Sequence, residues 1–275
     1  MKRTIAILAA ILALAIPLVI SNTADMTVTV GNTAPILDNI KINGIDSGAT
    51  VNPTAGNTTT VILYAEATDT NGWADVTEIK CTVTGPGTVE GSPVNLILDQ
   101  LDSDTRNATG TFTMDFYDAS GTYTVTCTAK DASGATGSKA ETYSYTSSTA
   151  LDLDAGTIAF GWMNPGATTT VTGNTTMEGP TTTAPTIKNQ GNAQIDATIS
   201  GTDLSGPSTI GVGNVTYQFS ALGFNVLTTG GTTETLLNLA AGASSTTNVD
   251  FSLYVPIGTV TGIYTGTTTI IAVSG

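Results

Sequence analysis

The chain has no histidine, only two cysteines, and just 8 lysines and arginines among its 275 residues. Without histidine there is no Ser-His-Asp or Cys-His triad, and the usual zinc-ligand sets are also missing. No glycine-rich loop follows a strand pattern and opens a helix, so a nucleotide-phosphate cradle of that kind is absent. Lys188 is the single basic residue after position 150, and the formal net charge is −14. Phosphate backbones are held through Lys and Arg, so no nucleic acid is expected as a partner, and an anionic membrane surface repels such a chain. Carboxylate pairs of the glycosidase type are the residual enzymatic reading, and nothing marks a cleft for them. The expectation is a protein that is not an enzyme.

Charged residues are few, at 11%, while apolar residues reach 40%, which is not the composition of a disordered chain. Threonine fills about a fifth of the sequence, and valine, isoleucine and tyrosine recur in alternating runs. Branched and aromatic side chains pack well on a pleated surface. The composition therefore predicts an all-β protein.

Residues 1–24 have the three parts of an export signal. Lys2 and Arg3 form the basic start, Ile5 to Ile20 run apolar, and Ser21-Asn-Thr-Ala24 offers a polar cleavage region. The run falls short of the roughly 20 residues of a spanning helix, so the mature chain is expected to be secreted with no membrane span. An uncleaved N-terminal anchor is the alternative. No apolar anchor is expected at the C-terminus, which ends Ser274-Gly275. In an oxidising compartment Cys81 and Cys127 read as a disulfide, the alternative being two separate buried thiols.

Behind the signal, residues 25–34 hold an alternating stretch, Asp25-Met-Thr-Val-Thr-Val30, with the pattern of a strand. Residues 35–148 give seven strand-like runs near 36–45, 59–68, 76–84, 93–99, 106–116, 121–130 and 139–146, separated by turn chemistry such as Asn71-Gly72 and Gly85-Pro-Gly87. Residues 149–275 carry further runs near 157–162, 168–174, 186–200, 209–220, 248–255 and 263–273. The expected architecture is two antiparallel β-sandwich, Ig-like domains in tandem after the signal peptide.

Gly121-Thr-Tyr-Thr-Val-Thr-Cys-Thr-Ala-Lys-Asp131 followed by Ala-Ser-Gly134 resembles the closing hairpin of Ig-like and PKD-like extracellular modules. Asn32-Thr-Ala-Pro35 is similar to the opening of cadherin-like and PKD-like repeats. Ile187-Lys-Asn-Gln-Gly-Asn192 and Val255-Pro-Ile-Gly-Thr-Val-Thr-Gly-Ile-Tyr264 look like sandwiches of archaeal and bacterial surface proteins. The arrangement as a whole resembles secreted two-part surface proteins of archaea, and that resemblance implies a place in a cell envelope, S-layer, adhesin or extracellular filament. The chain departs from the immunoglobulin pattern in one respect. Its cysteines fall in the third and sixth predicted strands, neighbours in one sheet instead of partners across two.

Asp69-Thr-Asn71-Gly-Trp-Ala-Asp75 places oxygen donors at alternate positions around a glycine, like the start of a calcium loop. Asp131 ends another strand and is expected at the same end of the sandwich. The competing reading is an Asx-rich turn that caps its own backbone. Calcium is the one cofactor the sequence suggests. Asp99, Asp102 and Asp104 read as a solvated acidic loop. Four Asn-X-Thr acceptors, Asn57, Asn107, Asn174 and Asn214, are placed in or beside turns and strand ends, where glycan could project. Trp73 and Trp162 read as packing residues. The expected function is a non-catalytic structural protein of the envelope or of a filament, self-associating or joined to other envelope proteins. Strand addition through residues 25–30 supplies a mechanism. The alternative is a secreted adhesin or a calcium- or carbohydrate-dependent binding module.

Overall fold

The computed structural model describes residues 25–275 except Ala221, and the side chains of Thr235 and Leu236 are left aside. The export signal read at 1–24 lies outside the described residues. Among the described residues no helix is long and apolar enough to cross a membrane.

Nine strands make the first half: β1 (Ile36–Ile42), β2 (Ala49–Val51), β3 (Thr59–Thr68), β4 (Val76–Thr84), β5 (Val94–Asn95), β6 (Ile97–Gln100), β7 (Thr105–Met114), β8 (Gly121–Asp131) and β9 (Thr136–Tyr145). They form two sheets, ordered β1-β3-β7-β6 and β2-β9-β8-β4-β5. All pairings are antiparallel except β2 with β9. Alternation explains the packing. In β3, Val61, Leu63, Ala65 and Ala67 point inward and are fully buried, and in β8 Tyr123, Val125, Cys127 and Ala129 do the same. These two inner faces close one core. Tyr143 stacks on Tyr123 with ring centroids 5.3 Å apart, and Tyr123 donates through its hydroxyl to Ala119 O at 2.7 Å, so the buried phenol is satisfied.

The second half has eleven strands: β10 (Leu151–Leu153), β11 (Thr168–Val171), β12 (Thr186–Asn189), β13 (Ile195–Gly201), β14 (Leu204–Ser205), β15 (Thr209–Ile210), β16 (Val215–Phe219), β17 (Asn225–Val226), β18 (Thr232–Leu239), β19 (Thr246–Tyr254) and β20 (Thr268–Ser274). One sheet runs β10-β12-β19-β16-β17, with β11 also on β19, and a second runs β18-β13-β20. Tyr217, Phe219, Val249 and Phe251 from the first meet Ala197 and Ile199 from the second in a separate core.

Residues 33–275 form one compact unit that contains both cores. Where they meet, Gly56 N donates to Gln190 O at 3.0 Å, Ser148 N to Asn192 Oδ1 at 2.7 Å, and Asn192 Nδ2 to Thr146 O at 2.9 Å. Lys188 lies 5.3 Å from the Phe116 ring centroid. Gly191 is required at this junction, because a Cβ there would meet Ser148 O at 2.1 Å.

Several sequence expectations need correction. The alternating stretch 25–30 pairs with no strand among the described residues; alternation gives a pleated face but supplies no partner ladder. The run at 157–162 forms no strand. The run at 186–200 is two strands, because Gln190–Gln194 carry the chain from one sheet to the other. The run at 209–220 is broken by a single 3-10 turn, Val212–Asn214, in which Asn214 N donates to Gly211 O. The strands β2, β10 and β18 carried too few alternating apolar residues to be seen in sequence.

Candidate metal centre

Cys81 and Cys127 lie directly opposite each other in β4 and β8, with Cα atoms 3.9 Å apart, and are joined by a disulfide. Both are fully buried. They link neighbouring strands of one sheet, so the bond staples a sheet and not the two layers.

The acidic group sits at the end of this sheet pair. Asp69 directly follows β3, Asp75 closes the 3-10 turn Trp73–Asp75, and Asp131 is the last residue of β8. The pairing of Val76 with Asp131, just before a bulge in the β4–β8 ladder, brings the second and third together. Between Asp69 and Asp75, Gly72 adopts φ +106°, a conformation that side chains avoid. One carboxylate oxygen from each of the three lies within 4.8 Å of the others. Asp69 and Asp131 are each 1% exposed, and Asp75 is half-buried.

Each buried carboxylate takes part in a turn. Asp69 Oδ1 accepts from Asn71 N at 2.8 Å, and Asp131 Oδ1 accepts from Ala135 N at 2.7 Å and Ser133 Oγ at 2.9 Å. Asp69 Oδ2, however, is buried and has no hydrogen-bond partner. A buried, unpartnered carboxylate oxygen costs several kcal/mol unless something compensates it. Arg106 lies at this end, but its Nη1 donates to Val76 O at 3.1 Å and Trp73 O at 3.4 Å, with the guanidinium stacked 4.8 Å over the Trp73 ring. The donor set is all carboxylate oxygen, which suits a hard cation such as Ca2+ and not a soft one.

Asn71, also expected as a ligand, has its Oδ1 accepting from Thr33 N at 2.9 Å. It thereby ties the turn to the point where the chain enters β1. Asp102 serves its own loop, with Oδ1 accepting from Thr105 N at 2.8 Å and Asp104 N at 3.1 Å. The hydrogen bond from Asp104 N holds the Asp102 carboxyl below the usual carboxylate range. Asp104 O accepts from Asp69 N, so this loop braces the metal candidate without adding a side-chain donor.

The four Asn-X-Thr acceptors differ in setting. Asn57 is exposed in the turn before β3. Asn107 is the third residue of β7, paired on both sides, opposite Glu66 in β3 and Asp99 in β6. Its Oδ1 is buried without a partner. Asn174 Oδ1 accepts from Thr176 N and Thr186 Oγ1, and Asn214 Nδ2 donates to Gly211 O, so both side chains hold local turns. Trp73 is half-buried under Arg106, whereas Trp162 is 91% exposed in a strandless loop, contrary to a packing role.

No family model matches the chain, and no curated protein matches it by sequence. Solved structures show weak likeness. The CsuC–CsuE chaperone–tip adhesion subunit complex from Csu pili of Acinetobacter baumannii aligns at 10% identity and TM-score 0.37, covering 85% of this chain and 99% of that one. The C-terminal domain of the Streptococcus pyogenes antigen I/II-family protein AspA aligns at 10% identity and TM-score 0.29, covering 88% and 96%. Latent PorU from Porphyromonas gingivalis aligns at 13% identity and TM-score 0.32, covering 87% of this chain but 19% of that one.

Proposed function

We propose that the protein is an exported, non-catalytic building block of a cell envelope or extracellular filament, joined to other copies by strand addition through residues 25–30. The observation that carries this reading is the segment itself. Met26, Val28 and Val30 are 95%, 87% and 76% exposed, lie on one face of the alternation, and belong to no ladder among the described residues. Such a segment completes a sheet edge through main-chain hydrogen bonds and alternate side chains. The lack of histidine and the engagement of both cysteines in a disulfide support the non-catalytic part. Deleting residues 25–31 is expected to abolish polymers and leave a folded monomer, read by negative-stain imaging and circular dichroism. Polymers that persist without the segment overturn the reading.

A second reading is favoured by the orphaned Asp69 Oδ2. In it, Asp69, Asp75 and Asp131 hold a calcium ion that fixes the turn to which Thr33 is tied. Titration calorimetry of the purified protein is expected to show one site per chain at up to millimolar calcium, and no heat in that range removes it.

A further inference from the structure

The segment needs an acceptor, and the sheet edges differ sharply in fitness for the task. β1 has a bulge between Leu37 and Asn39 and carries Asp38 and Lys41. β9 carries Lys139 and Glu141 and is partly covered by β2, while β6 carries Asp99. β18 has a break in its register and a left-handed residue, Asn238 at φ +44°. β5, β10, β11 and β17 are two to four residues long. Charges, bulges and shortness are how sheet edges avoid unwanted pairing. β20 has none of these protections. Its seven residues, Thr-Thr-Ile-Ile-Ala-Val-Ser, contain no charge, proline or glycine and pair with β13 in unbroken register.

The core behind β20 is also incompletely closed. Eleven half-buried apolar residues flank the second core, against one for the first. Among them are Leu151 and Leu153 on β10, Ile270 on β20, and Ile158, Phe160 and Met163 on the loop that follows β10. β10 and β20 approach each other as the last strands of their two sheets, so Leu151, Leu153 and Ile270 belong to the strands that border this side of the core.

The parity of the free edge follows from two hydrogen bonds. Gly275 N donates to Gln194 O, and Thr202 N donates to Thr267 O. In an antiparallel ladder bonded residues alternate, so 267, 269, 271, 273 and 275 face β13. The N–H and C=O groups of Thr268, Ile270, Ala272 and Ser274 face outward.

We propose that the β20 edge of the second core accepts residues 25–30 of another copy of this chain, making a head-to-tail contact. This rests on the strand-addition reading above. The donor cannot serve its own β20. Thr33 is held at Asn71, beyond the C-terminal end of β3, whereas the junction to the second core lies at Gly56, before its N-terminal end. The ten residues of β3 put about 30 Å between those ends. The chain from Thr33 to Met26 spans about 25 Å at most, short of the junction and shorter still of β20. A donor at one end and an acceptor at the other give a heterologous contact, which propagates into a filament or closes as a ring.

Two variants separate the acceptor from the underlying reading. A chain lacking residues 25–31 keeps only the acceptor. Ala272→Pro keeps only the donor, because it removes an outward N–H and leaves the β13 ladder intact. Each alone is expected to be monomeric by light scattering, and an equimolar mixture is expected to give a discrete dimer that grows no further. If Ala272→Pro still polymerises while the deletion does not, the acceptor assignment falls and strand addition stands. If the deletion polymerises, strand addition itself falls. Should Ala272→Pro lose its fold by circular dichroism, the deleted chain is mixed with a synthetic peptide of residues 25–31 instead. Hydrogen exchange is then expected to slow at least tenfold at Thr268, Ile270, Ala272 and Ser274, and protection at any other edge overturns the assignment.

Discussion

Replacing Asp75 by Asn should change the stability of the first core in opposite directions with and without calcium. Three carboxylate oxygens lie within 4.8 Å of one another. At that distance two like charges repel by about 3.5 kcal/mol at an effective dielectric constant of 20. Without a cation, Asp75→Asn removes two of the three repulsions and is expected to raise the melting temperature. The net gain is a fraction of the gross figure, because Asp75 is half-exposed and screened by solvent. Asp75 is the informative position, since its carboxylate carries none of the turn hydrogen bonds made by Asp69 and Asp131. With 5 mM calcium and the 0.1–1 mM affinity of extracellular modules, binding stabilises the native protein by about 1–2.3 kcal/mol. The variant forfeits most of that. Scanning calorimetry of both proteins, in chelator and in 5 mM calcium, should therefore show the two melting temperatures change order. If the variant melts higher in both buffers, or the parent protein does not respond to calcium, the site is an Asx turn and the cation reasoning is wrong.

Three further outcomes are expected. Replacing Cys81 and Cys127 together by Ala should cost about 4 kcal/mol from the reopened 46-residue loop, read by urea unfolding; a loss below 1 kcal/mol contradicts the loop account. Burial pushes the Tyr145 hydroxyl up to about 12, and Tyr143 is raised further for the same reason. The unfolded state ionises near pH 10, so stability holds below pH 10 and falls between pH 10 and 12. Tyrosinate absorbance should then rise together with loss of circular dichroism, and ionisation of all tyrosines ahead of unfolding counts against the burial. Gly191→Ala should disrupt the junction between the two cores, where Ser148 O occupies the place of a Cβ. Its expected signature is a lowered melting temperature, with exposed Ser138→Ala as the neutral control; a melting temperature equal to that control contradicts the close approach.

Much of the first half was legible because its strands alternate cleanly over seven or more residues. β3 and β4 begin and end where the pattern does, and β8 runs one residue longer. The second half was harder. Threonine is both a good strand former and a polar residue, so a Thr-rich stretch such as Thr232–Leu239 blurs the inward and outward faces. The acidic triad was partly visible: Asp69 and Asp75 share one loop, and Asp131 follows a strand end. No sequence signal marked the orphaned Asp69 Oδ2 or the diversion of Asn71 to Thr33, because both depend on which groups meet in space. The β20 edge was hidden for the same reason, since an unpaired side belongs to a sheet order and not to a stretch of sequence.

The disulfide within one sheet has a mechanical consequence. Tension applied along the chain from Thr33 toward the second core loads the strands between them. Once the first core yields, the 46-residue span from Cys81 to Cys127 stays closed. A stretched chain gains about 3.4 Å per residue, so the bond withholds roughly 150 Å of extension. A pulled molecule would lengthen by a fixed step that excludes the closed loop, remain covalently continuous, and keep β4 and β8 tethered in register for refolding when the load is released.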